Sequence, residues 1–160
     1  MALKAKSKKK NILKFIFFFY LLVLVRIVIF KYPLGNYVEI VRQWSPDVFW
    51  QGLYHSNFTL FKTIRMYITY WGRINSFENL VGNIVIFIPF GLLYPITFEK
   101  GKNFFRLCLM SLAVILGLEL VQMWTNFGAF DVDDILLNFV GTLLGYFLYL
   151  LSVKVFSKKA

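Results

Sequence analysis

The sequence predicts an all-α membrane protein: a bundle of four transmembrane helices with an extracytoplasmic, partly amphipathic loop between the first and second. Three observations carry that expectation. Of 160 residues, 59% are hydrophobic and 20% aromatic, more apolar surface than a soluble chain this short can hide from water. Four apolar runs, at about 15–30, 80–98, 107–124 and 135–153, each approach the roughly 20 residues that cross a hydrocarbon core once their flanks are included. Lysine and arginine gather at the ends of these runs, as membrane topology requires.

The first run follows the basic stretch "MALKAKSKKKNILK", residues 1–14. No small-x-small cleavage site follows Phe30, where the chain reads "KYPLGNY", so the run is expected to stay as an uncleaved first span. Lys4, Lys6, Lys8, Lys9, Lys10, Lys14, Lys100, Lys102, Arg106, Lys154, Lys158 and Lys159 all fall on one side of a four-span arrangement. Lys31, Arg42, Lys62, Arg65 and Arg73 fall on the other, spread over a longer connection. The positive-inside rule then puts both termini, including the basic tail 154–160, in the cytoplasm. The net charge of +10 lacks the basic face with interleaved aromatics that nucleic acid would require. One cysteine and one histidine exclude a disulfide framework and a Cys/His metal site within one chain.

The outer loop covers residues 31–77. Within it Phe58, Phe61, Ile64, Ile68 and Trp71 recur at helical spacing, with Lys62, Arg65 and Thr69 between them. That pattern fits an interfacial amphipathic helix, or equally a loop packed over the bundle. "NFT" at Asn57 matches a glycosylation sequon, a short motif of low specificity.

Polar residues interrupt the spans. In the second, Asn79 and Asn83 share a helix face near Gly82, and Pro89 precedes Gly91; the proline withholds a backbone donor that neighbours must replace. In the third, Glu119, Gln122 and Asn126 form one stripe. In the fourth, Asp131, Asp134, Asn138, Gly141 and Gly145 fall within an arc of roughly 80° at 100° per residue. The first contributes Arg26, about 6 Å inside Phe30, and Glu119 lies about 7.5 Å inside Trp124 at 1.5 Å per residue. All four spans thus bring polar groups to one level below the outer surface.

Ionisable groups at that depth are costly and by default functional. The expectation is a polar cleft open to the outer leaflet, with Glu119 as its central carboxylate and Arg26 as its counter-ion. Structural readings stand beside it. Asp131 and Asp134 fit a helix N-cap and the macrodipole. Gly141 and Gly145 form a G-x-x-x-G of the kind that packs helices closely, and Asn83 and Asn138 could bond between helices. His55 beside Ser56 has no evident orienting acid for nucleophilic catalysis. Cys108 reads as a packing residue.

Three segments in this order resemble the VanZ-like family of small bacterial membrane proteins: "ENLVGNIVIFIPFGLLYP" from Glu78, "ELVQ" from Glu119, and "FDVDDILLNFVGTLLGY" from Phe130. "NFTLFKTI" from Asn57 is a weaker echo of the family's N-L-x-P-F-x-T-I pattern, with Leu60 in place of its proline. The arginine that family members often carry just before the first aspartate of the last motif is absent from "NFGAF"; Arg26 or Arg73 could take its part. The resemblance implies a single VanZ-like transmembrane domain over 15–153 in the bacterial plasma membrane, and its founding member is associated with resistance to teicoplanin-type glycopeptides. Carried over residue by residue, its pattern covers Asn83, Pro89, Gly91, Glu119, Gln122, Asp131, Asp134, Asn138, Gly141 and Gly145.

The function this suggests is binding of a membrane lipid or cell-wall-linked amphiphile by Asn79, Asn83, Glu119, Gln122, Asp131, Asp134, Asn138 and Arg26. No organic cofactor is expected. A divalent cation, Mg²⁺ or Ca²⁺, would suit the hard oxygens of Asp131, Asp134, Glu119 and Asn138. The alternative is an outer-leaflet enzyme with Glu119 as acid/base toward a lipid-linked substrate. A third reading makes the polar stripe interhelical glue within a larger complex.

Overall fold

The computed structural model describes residues 2–30, 38, 41–42, 44–71 and 76–157. Lys31, Arg73, Lys158 and Lys159 lie outside them. The described helices are α1 (Ala2–Val28), α2 (Pro46–His55), α3 (Lys62–Thr69), α4 (Ser76–Thr97), α5 (Phe104–Thr125) and α6 (Val132–Ser157), with a 3-10 turn at Glu99–Lys102 joining α4 to α5. Four segments are long and apolar enough to cross a membrane: Lys10–Val28, Ser76–Thr97, Phe104–Thr125 and Val132–Val155. The all-α bundle and its multi-pass membrane character therefore stand. Each span begins a few residues earlier than its apolar run, because a helix continues through flanking polar residues that hydrophobicity alone leaves out.

No more than 33% of any span's apolar window is buried within the protein. Phe15, Phe18, Leu22, Phe105 and Leu109 are all outward-facing and exposed. Such surface is stable when lipid surrounds it, since acyl chains are as apolar as leucine. The core is correspondingly thin, built on Phe17, Leu24, Phe87, Phe90, Leu107 and Ile115.

Its backbone is the pair α4 and α6, which run parallel in tight register. A Cβ added at Gly141 would sit 2.0 Å from the Ile84 carbonyl oxygen, and one at Gly145 equally close to that of Ile88. From the other side, a Cβ at Gly91 would meet the Thr142 carbonyl oxygen at 2.0 Å. The three glycines let the two main chains touch, the geometry that small residues permit in lipid. Within α4, Pro89 removes the donor that the Val85 carbonyl would receive, and the Tyr20 hydroxyl from α1 donates to the Ile86 carbonyl in the same turn at 2.8 Å.

Both ends of α5 are closed by local chemistry. α5 starts at Asn103, whose side chain accepts from the Arg106 amide at 3.0 Å, and stops at Asn126, which takes the left-handed conformation at φ 55° that ends helices. α2 lies against the outer end of α5, with Gly52 so close that a Cβ would meet the Met123 carbonyl oxygen at 2.1 Å. The periodic stretch Phe58–Trp71 is helical over Lys62–Thr69 alone. Phe61, at φ 64°, turns the chain into the helix from a conformation unfavourable to bulky side chains. α3 buries Thr63 against the bundle and exposes Phe61, Met66 and Ile68. The segment is thus a short helix packed over the bundle through Thr63, Ile64 and Tyr67, with an outward side that mixes Lys62 and Arg65 with Met66 and Ile68.

Candidate functional site

The motif that opens α6 is the centre of a hydrogen-bond network that ties the segment between α1 and α4 to the bundle. Asn57 pairs with Asp131 as an isolated parallel bridge: its amide donates to the Phe130 carbonyl at 2.8 Å and its carbonyl accepts from the Val132 amide at 3.1 Å. Asp131 Oδ1 accepts from Asn57 Nδ2 at 2.9 Å and from the Asp133 amide at 2.8 Å, the second bond making Asp131 the N-cap of α6. Asp131 Oδ2 accepts from the Thr63 hydroxyl at 2.5 Å. Beneath it, Glu119 Oε2 accepts from the Asp131 amide at 3.0 Å.

Asp133 was not among the residues singled out from the sequence, yet it is fully buried and makes the most structured contact. Its Oδ1 accepts from the Phe61 amide at 2.5 Å. Its Oδ2 accepts from the amides of Thr63 at 2.8 Å and Ile64 at 3.1 Å. The carboxylate thus meets the orphan N–H groups at the start of α3, where the helix dipole also favours a negative charge. A helical stripe through Asp131, Asp134 and Asn138 skips this position, and its partner lies 70 residues upstream.

The other expected residues divide into separate settings. Gln122, buried, donates from Nε2 to the Val28 carbonyl at 3.0 Å and so satisfies the last turn of α1. Asn83 Nδ2 donates to Asp134 Oδ1 at 2.6 Å, joining α4 to α6. Asn138 is 3% exposed, and its Oδ1 has no hydrogen-bond partner. Arg26 is exposed and donates to the Phe30 carbonyl; it turns to the unsatisfied end of its own helix rather than to Glu119. Glu119 is 1% exposed, so in place of a central cleft carboxylate it is an internal acceptor beneath the loop. Tyr67, on α3, has its phenol pushed above the ordinary 10.0 by burial first and then by the carboxylates of Asp134 and Asp131.

The expected cation ligands do not converge. Asp131 and Asp134 oxygens accept from N–H and O–H donors, and among the described residues no group of three or more His, Cys, Asp or Glu side chains could hold a metal ion.

A groove of about 530 Å³ opens between α1 and α4. Glu78, Asn79 and Asn83, in the first turns of α4, line one end of it, and Tyr20, Val23 and Pro89 line the remainder with other apolar side chains. Of the expected site residues, Asn79 and Asn83 reach it, and Asp134 supports Asn83 from behind.

A family model described as VanZ/LLP1 matches residues 17–153. The chain is also similar to "Protein VanZ" of Enterococcus faecium, 36% identical over 92 residues, a match covering 58% of this chain and 56% of that relative. The chain therefore spans about half the length of this curated relative. No solved structure matches it.

Proposed function

The chain belongs to the VanZ/LLP1 family, and from that premise we propose that it binds a lipid or cell-wall-linked amphiphile in the groove between α1 and α4. Binding there modulates sensitivity to glycopeptide antibiotics such as teicoplanin, and the groove faces the outer leaflet, with both termini in the cytoplasm of a bacterium. The observation that carries this reading is the groove's division into amides and apolar wall. Its volume of about 530 Å³ falls in the range of ligand pockets, which are mostly apolar with a few placed polar groups. Asn83 spends its N–H on Asp134, which fixes the side chain and leaves its carbonyl oxygen to accept from a headgroup hydroxyl or amide. The lower wall of Tyr20, Val23, Val85 and Ile86 takes an acyl or prenyl chain. Glu119, Asp131 and Asp133 hold the loop above and do not touch the ligand.

The test is expression in a teicoplanin-sensitive bacterium with native mass spectrometry of the gently extracted protein. Asn79→Leu with Asn83→Leu should abolish both the retained amphiphile and the change in teicoplanin sensitivity at equal protein level. Glu119→Gln, which keeps an acceptor for the Asp131 amide, should leave both intact. Retention by the double leucine variant would end the groove assignment, and loss with Glu119→Gln would favour acid/base chemistry at that carboxylate.

A further inference from the structure

The end of the bundle that carries both termini holds a second groove, of about 470 Å³, enclosed by α1, the close of α4 with its 3-10 turn, and the start of α5. Its charges are unbalanced. Lys10, Lys14, Lys100 and Arg106 line it against the one carboxylate of Glu99, and that carboxylate already pairs with Lys102 at 2.8 Å. Among the described residues none of those four cations has an ion pair or a side-chain hydrogen bond. Thr97 also lines the groove; it is 3% exposed, and its hydroxyl has no hydrogen-bond partner. Beside these groups the wall is aromatic. Phe17 lies 5.9 Å from Tyr94 between ring centroids, and Phe90 stacks on Tyr94 at 5.5 Å.

Charge and wall point to one occupant. Cations gathered at an apolar, low-dielectric wall concentrate a positive potential that an anion relieves, and basic pockets between membrane helices on the side facing the cytoplasm take anionic lipid headgroups. That aromatic cluster is buried, but Phe18 and Met110 on the same groove are exposed; a free anion would leave them bare, whereas a lipid covers them with hydrocarbon. We propose that this groove binds an anionic glycerophospholipid of the leaflet next to the termini. Its phosphate lies among Lys10, Lys14, Lys100 and Arg106, the Thr97 hydroxyl supplies a neutral donor, and one acyl chain runs along Phe18 and Met110, which line the groove and are exposed. The basic residues that orient the chain in the membrane thereby also select a lipid. The site stands apart from the groove between α1 and α4.

The test uses the full chain, delipidated in neutral detergent and titrated with phosphatidylglycerol or phosphatidylcholine, with bound lipid counted by native mass spectrometry. One phosphatidylglycerol should bind with at least about tenfold preference over phosphatidylcholine, and Lys100→Gln with Arg106→Gln should lower that preference about tenfold or more. Lys8→Gln with Lys154→Gln, which removes equal charge outside the groove, should leave it unchanged. All four positions are exposed, so neither pair disturbs the core, and identical elution on size exclusion checks this. An unchanged preference in the groove variant, or an equal loss in both variants, overturns the proposal. Displacement of the bound phosphatidylglycerol by inorganic phosphate alone also overturns it.

Discussion

Asp133→Asn is the sharpest perturbation of the network that holds the outer loop. The native carboxylate takes three backbone N–H groups, from Phe61 on one oxygen and from Thr63 and Ile64 on the other. An amide keeps one oxygen and turns an NH₂ toward the remaining donor. With its oxygen toward Thr63 and Ile64, the Phe61 amide loses its acceptor and the two retained bonds lose their ionic character. Bonds to charged groups contribute about 1.5–3 kcal/mol each and neutral ones about 0.5–1.5 kcal/mol. Phe61 is exposed enough for water to make good part of the loss. The net cost to the docked state of α3 is then about 2–3 kcal/mol, or about 30- to 150-fold faster amide exchange through local opening. Hydrogen exchange at Phe61, Thr63 and Ile64, measured in micelles, reads this directly. Asp134→Asn is the control, since that carboxylate accepts from Asn83 instead. Unchanged exchange at the three amides in Asp133→Asn, or equal acceleration in the control, would refute the capping role.

Two more outcomes follow from the geometry. Gly141→Ala forces a Cβ to within 2.0 Å of the rigid Ile84 carbonyl and should destabilise the α4–α6 pair by about 3 kcal/mol, at or beyond the upper end of ordinary overpacking. Gly82→Ala, which meets nothing within 4 Å, should be neutral or stabilising by up to about 1 kcal/mol; thermal aggregation in detergent compares them, and equal loss would contradict the register. Tyr67 should titrate above the ordinary 10.0 in a ¹³C-tyrosine spectrum, moving down in Asp134→Asn. Because the folded state favours the neutral phenol, its share of stability is present below pH 10.0 and is lost as pH rises through the raised folded value. A Tyr67 signal that titrates with exposed tyrosines would remove the acidic neighbours from the account.

Composition was enough to read the spans, because lipid imposes a length and an apolar content that few other environments demand. The glycine spacing at Gly141 and Gly145 was equally legible, since close helix contact in a membrane needs small residues in that rhythm. The site was harder. Asp131, Asp134 and Asn138 share a helix face, which the sequence shows, whereas Asp133 lies off that face and meets backbone amides, which carry no sequence signature. Asn57 read as a glycosylation match and turned out to be the loop's bridge to Asp131. The helix α2 has a start signal in Ser45, Pro46 and Asp47: extended Ser45, proline at the first helical position and an acid in the first turn, but its ten residues show no apolar run that sets them apart from the loop. Glu119 and Arg26 were paired because both lie at one depth. Depth fixes height in the bilayer and leaves direction open, and each side chain found a nearer main-chain partner.

The Asn57–Asp131 side-chain bond joins residues 74 positions apart in the chain, and that distance sets an order of assembly. A chain inserted from its N-terminus delivers the segment between α1 and α4 well before α6 arrives with the carboxylates that meet its amides. Until then α3 lacks its carboxylate cap and packs on α4 alone, and eight residues are too few to hold a helix in water unaided. Insertion of the last span is therefore the event that locks this segment down, and in a nascent chain halted after α5 the stretch 57–64, without its partners Asp131 and Asp133, would be the more readily cut by proteases.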